Sequence, residues 1–112
     1  MVVNVYSQYF AAQGVFNGVE RRGALVLLVS DSEAGRISYR AEVSFFPHRD
    51  EEDYAVSYDA CFGKELYNAQ GRRSRKREAA LLESLRSEID TLASTHEAIV
   101  DWTRPLAEAR RG

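Results

Sequence analysis

The stretch 23–46, GALVLLVSDSEAGRISYRAEVSFF, decides the fold. Its two halves are apolar in different ways. Residues 23–30 are apolar almost throughout, the pattern of a strand covered on both faces and therefore central in a sheet. Residues 36–46 alternate strictly: Ile37, Tyr39, Ala41, Val43 and Phe45 fall on one side, Arg36, Ser38, Arg40, Glu42 and Ser44 on the other. Successive strand side chains point to opposite faces, so this half has one face in a core and one in water. Between them, Asp31 to Gly35 is turn chemistry, with Gly35 free to take positive φ. The stretch predicts an antiparallel β-hairpin.

Upstream, residues 2–10 (VVNVYSQYF) are β-branched and aromatic and predict a strand, followed by a turn or loop region at Gly14, Asn17 and Gly18. Downstream, Pro47 ends the hairpin, and Asp50, Glu51, Glu52 and Asp53 read as an exposed acidic loop. Residues 54–62 alternate again and predict a third antiparallel strand; Leu66 and Tyr67 begin a short helical turn, and 68–71 closes the segment. From Ser74, a candidate N-cap, Glu78, Leu81, Leu82, Leu85, Ile89, Leu92 and His96 recur at spacings of three and four. That periodicity predicts an amphipathic helix with one stripe on the sheet and Arg77, Glu83, Arg86, Ser87, Asp90 and Ser94 outward. A strand over 98–102 and a short C-terminal helix capped by Thr103, with Pro105 in its first turn, complete the expectation. The fold class is α+β: an antiparallel β-meander of three to four strands, one long helix packed on it, then a further strand and a short helix, in a single domain over 1–112.

The composition, 45% hydrophobic and 29% charged, is that of a globular chain. A single cysteine, Cys61, excludes an internal disulfide framework. The longest apolar run, 24–29, is far too short to span a membrane, and no leader pattern precedes it. The expectation is a cytoplasmic protein without a membrane partner. The net charge of −2 is unevenly spread: residues 1–71 hold six basic and ten acidic side chains, residues 72–112 nine and seven.

The order of elements, a meander of strands followed by a helix crossing to a further strand, resembles the first part of the ribonuclease H-like fold over residues 2–111. The resemblance implies metal-dependent nuclease chemistry from acidic residues on the first strand, the long helix and a later strand. Glu78 matches in type on the helix and Asp101 on the later strand, with Asp59 or Glu42 as further carboxylates; the first strand offers Ser7 and Gln8 where an aspartate is required.

Outside that resemblance no catalytic pattern stands out. His48 and His96 lack zinc-site spacing, and the glycines form no phosphate loop. Cys61 reads as a buried or half-buried structural residue, His96 as a helix C-terminal cation and His48 as a loop residue. No metal or cofactor is implied. The most informative feature is the run Arg72, Arg73, Arg75, Lys76 and Arg77. Positive charge at a helix start opposes the macrodipole, so an acidic partner, a phosphate backbone or plain solvation must offset it. The six tyrosines could stack on bases but fit sheet packing better. Three functional expectations follow: a binding or assembly protein without catalytic activity, acting on another protein or on a second copy of itself as a homodimer; a nucleic-acid-binding protein using the Arg72–Arg77 segment; and a divergent nuclease.

Overall fold

The computed structural model describes residues 1–47 and 60–106. In chain order the elements are β1 (Val2–Phe16), β2 (Val19–Glu33), β3 (Arg36–Phe46), β4 (Cys61–Gln70), α1 (Arg75–Thr95) and β5 (Ile99–Pro105). The strands form one antiparallel sheet in the order β4-β3-β2-β1-β5. Four strands follow one another as a meander. The helix then carries the chain back across the sheet, and β5 joins the free edge of β1.

Two hairpins set the frame. Phe16 pairs with Val19 and Glu33 with Arg36, so each loop is two residues long. Asn17 and Gly18 (φ 52° and 75°) and Ala34 and Gly35 (φ 55° and 79°) all take the left-handed conformation. This is the turn whose twist matches that of the flanking strands. Asn-Gly suits it; Ala34 does not, because its Cβ crowds the backbone there.

The central hairpin forms as the sequence predicts, and β2 is the middle strand. Other boundaries move. β1 runs to Phe16, through a register shift between Ala11 and Gly14, and Gly14 stands where a Cβ would sit 2.9 Å from that of Ala98. The expected third strand at 54–62 lies outside the described residues up to Asp59. The strand that pairs with β3 is 61–70, and it includes Leu66 and Tyr67, expected to be helical. The pairing Tyr39↔Tyr67 and the ladder from Ser44↔Cys61 to Arg36↔Gln70 override the weak local preference. Thr103 and Pro105, assigned to a C-terminal helix, belong to β5, where Phe10 pairs with Pro105 and Leu106 N–H donates to Tyr9 O at 2.9 Å. Residues 107–112 lie outside the described residues.

One face of the sheet carries the core. Ala24, Val26 and Leu28 of β2 and Ile37, Tyr39, Ala41, Val43 and Phe45 of β3 are buried with Leu85, Ile89 and Ala93 of α1. The helix begins at Ser74, whose Oγ accepts from Arg77 N at 3.2 Å. It ends in paired bonds, Glu97 N to Ser94 O (3.0 Å) and Ala98 N to Ala93 O (2.8 Å), with Glu97 at φ 61° in the position usually held by glycine. Leu82, expected on the inward stripe, is exposed, because Leu85, Ile89 and Ala93 define the buried line.

Candidate functional site

The basic segment meets the sheet above β3. Tyr39, 1% exposed, stands on the helix-covered face and donates its hydroxyl hydrogen to Glu78 Oε2 at 2.7 Å. Arg73 grips the same carboxylate with two donors, Nε to Oε2 at 2.8 Å and Nη2 to Oε1 at 3.0 Å. Ser74 N–H closes the circuit on the Tyr39 hydroxyl at 3.4 Å. Fork-to-fork pairing with a guanidinium is the strong form of an ion pair. The bonds from Arg73 hold the Glu78 carboxyl below the usual carboxylate range against the opposing effect of its burial. Burial, and then the bond to Glu78, raise the Tyr39 phenol. The same carboxylate raises the Arg73 guanidinium, which stays charged.

This network answers much of the puzzle of positive charge at a helix start. Glu78 places one negative charge in the first turn, and Arg73 belongs to it. Arg77 lies over the ring of Tyr67 at 4.0 Å from its centroid, a cation–π contact on the cross-strand partner of Tyr39. Arg72, Arg75 and Lys76 are exposed and make no hydrogen bond or ion pair with a described residue. Of the five candidates, then, two are tied into the fold and three face solvent. The acidic run 50–53, considered as their partner, lies outside the described residues.

The two candidate carboxylates are not brought together. Glu78 sits over β3, while Asp101 is on β5, three inter-strand spacings or about 14 Å across the sheet. Asp101 Oδ1 accepts from Thr103 N at 3.0 Å and from its hydroxyl at 2.6 Å, and these bonds lower its carboxyl pKa. Glu42 pairs with Arg40 at 3.5 Å on the other sheet face, and Asp59 lies outside the described residues. Among the described residues no group of three or more His, Cys, Asp or Glu side chains is placed to hold a metal ion.

The remaining candidates resolve into structure. His96 caps the helix C-terminus and stacks on Phe62 at 3.8 Å between centroids. Cys61, expected to be buried or half-buried, is exposed at the start of β4, with its sulfur 3.1 Å from Ser44 Oγ. It lies on an edge strand and pairs with Ser44, whose side chain faces away from the core. Tyr9 meets Phe46 edge to face at 5.8 Å. His48, Tyr54 and Tyr58 lie outside the described residues.

A surface that sequence reasoning missed is the sheet face turned away from α1. There β2 presents Leu25, Leu27 and Val29, flanked on β1 by Tyr9, Ser7 and Asn4 and on β3 by Ser44, Glu42 and Arg40. Leu25 and Leu27 are half-buried, with no described helix or strand over them, while Val29 and Phe46 on the same face are buried. The signal was in the sequence: residues 24–29 are apolar on both faces, and among the described residues the helix supplies the cover on one of them. No described helix is long and apolar enough to cross a membrane.

Comparison of the chain with protein-family models, with characterised proteins and with solved structures gave no match.

Proposed function

We propose that this is a non-enzymatic binding protein that works as a homodimer, two copies meeting through the sheet faces turned away from α1. The observation that carries the reading is the half-buried pair Leu25 and Leu27 at the centre of the sheet, continued by the buried Val29, on the face opposite the helix. Large apolar side chains on both faces of a middle strand call for cover on both faces. The neighbouring column supplies a reason for a second copy. Arg40 and Glu42 stand two residues apart on β3 with opposite charges. A two-fold axis through the stripe sets each against its counterpart, so the surface is complementary to itself.

Sedimentation velocity over a wide concentration range tests this. The wild type is expected as a dimer and Leu27→Glu as a folded monomer with unchanged far-UV circular dichroism. A strictly monomeric wild type at high concentration overturns the reading.

A second reading, nucleic-acid binding, is favoured by one observation: Arg72, Arg75 and Lys76 project to solvent together at the helix start, with Arg36 nearby on the first residue of β3. Three neutralising substitutions there are expected to flatten the salt dependence of binding to mixed oligonucleotides by about two to three units of slope. Unchanged affinity and slope remove it. The acidic whole (net charge −2) weighs against this reading and leaves the first in front.

A further inference from the structure

Where β5 joins β1 the ladder is interrupted. Ala11 pairs with Asp101, but Phe10 pairs with Pro105, so Trp102, Thr103 and Arg104 of β5 bow out between two consecutive residues of β1. The Asp101 carboxylate holds this bow by bonding the backbone and hydroxyl of Thr103. Beside the bow lies a groove of about 690 Å³, within the range of small-molecule sites. Its apolar lining comes from half-buried Ala11 and Trp102 and from Ile99, 65% exposed; Val100 borders it with its side chain buried in the core. Its charged lining holds two residues of each sign: Asp101 on β5 and Glu20 on β2, and Arg22 on β2 and Arg104 on the bow.

The charges are poised in different ways. Both bonds to Asp101 fall on Oδ1, so Oδ2 is left to accept from something else, and the lowered pKa keeps the group ionised. Arg22 has only a loose contact with Glu20, at 3.5 Å and largely in solvent, where such pairs are worth little. Arg104 makes no hydrogen bond or ion pair with a described residue, and its charge adds to the lowering of the Asp101 carboxyl. A strand bow that interrupts pairing and aims side chains into a groove is a common device next to binding sites.

We infer that this groove binds a small zwitterion of the α-amino acid class with an apolar side chain. The ammonium meets Asp101 Oδ2, the carboxylate meets Arg22 and Arg104, and the side chain lies on Ala11 and Ile99. The site does not depend on association between copies. It is tested on the whole protein in whatever oligomeric state it adopts.

The experiment is a titration of the isotopically labelled protein with three probes, followed by amide chemical shifts in β1 and β5. The probes are L-leucine, leucinol, which lacks the carboxylate, and 4-methylpentanoate, which lacks the ammonium. Leucine is expected to give saturable shifts localised to the groove, and each truncated probe to bind about tenfold or more weakly. Asp101→Asn is expected to weaken leucine and leucinol and leave 4-methylpentanoate unchanged; Arg22→Gln with Arg104→Gln is expected to do the reverse for the two truncated probes. Because Asp101 also holds the bow, Thr103→Val serves as a control, loosening the turn while keeping the carboxylate. Absence of saturable shifts with leucine, or equal shifts from all three probes, overturns the inference.

Discussion

The two faces of the sheet are made by the same strands and yet obey different rules. Under α1, Val26, Leu28, Ala41, Val43 and Phe45 are fully buried, and the helix seals them with Leu85, Ile89 and Ala93. On the other side, one residue away along each strand, Leu25 and Leu27 lie between Ser44 and Glu42 on β3 and Tyr9 and Ser7 on β1. The first face is apolar almost throughout, with Ser30 its buried polar exception; the second is apolar along β2, aromatic at one end where Tyr9 meets the buried Phe46, and polar beside Leu27 and Val29. The contrast separates what the fold needs from what the surface is available to do. A core requires continuous apolar area, whereas a docking face requires an apolar centre with a polar rim to fix the register of the partner.

The sharpest way to break the contrast is to truncate one residue on each side. Ile89→Ala, at a fully buried position, is expected to cost about 2–5 kcal/mol in urea unfolding. Leu27→Ala is expected to cost less than about 1.5 kcal/mol at concentrations where the protein is monomeric, and to weaken self-association instead. Equal losses of monomer stability would mean that the second face is also core.

Next in size is the network that fastens the helix start to the covered face. Glu78→Gln keeps the shape but removes the charge that Arg73 and Tyr39 both address, and is expected to cost about 1–3 kcal/mol at neutral pH. The sign with pH follows from the direction of the shift. The folded pKa of Glu78 lies below its unfolded value, so its contribution is present above the unfolded pKa. That contribution is lost as the pH falls through the folded pKa. The wild type and Glu78→Gln are therefore expected to converge in stability on acidification, as measured by thermal unfolding from pH 7 to pH 3. Parallel curves would deny Glu78 that role.

The smallest effects belong to the backbone. Glu97→Gly and Ala34→Asn each place a residue that tolerates left-handed φ where the fold demands it, and each is expected to stabilise by about 0.5–1 kcal/mol in the same unfolding assay. Neither position touches the contrast between the faces, so a change in self-association with either variant would count against the assignment of the interface.

Much of the covered face was legible because its signal is periodic. The alternation of 36–46 and the spacing of Leu85 and Ile89 each encode one buried side, and the structure puts those residues there. The strand β4 was not legible past Phe62. Gly63, Lys64, Glu65, Asn68 and Gln70 carry no apolar alternation, and they are held as a strand by the ladder to β3. Its edge position asks for only one half-apolar side. The C-terminal helix was an error of local reasoning: Thr103 and Pro105 suit a helix start, but pairing of the 99–105 segment with β1 outweighs that preference. At the candidate site, sequence located the basic run and Glu78 but could not show that Arg73 and Arg77 are occupied by Glu78 and Tyr67. Arg73 and Glu78 are only five residues apart, but what fixes them is Tyr39, 39 residues upstream of Glu78, and the strand pairing that brings Tyr67 beside it. The groove beside β5 had no sequence signal, since it arises from a break in pairing.

The far-edge pairing of β5 also has a consequence in time. Gln13 is partnered by Ile99, 86 residues further along, so while a chain is being synthesised the outer edge of β1 stands open until that residue has emerged. At ordinary translation rates that interval is on the order of ten seconds. During it the meander can close with its own neighbours, but an unpaired ribbon of main-chain donors and acceptors remains on offer to any other extended chain nearby. The slow, long-range closure by β5 is thus the step at which a nascent copy is most exposed to joining the wrong partner.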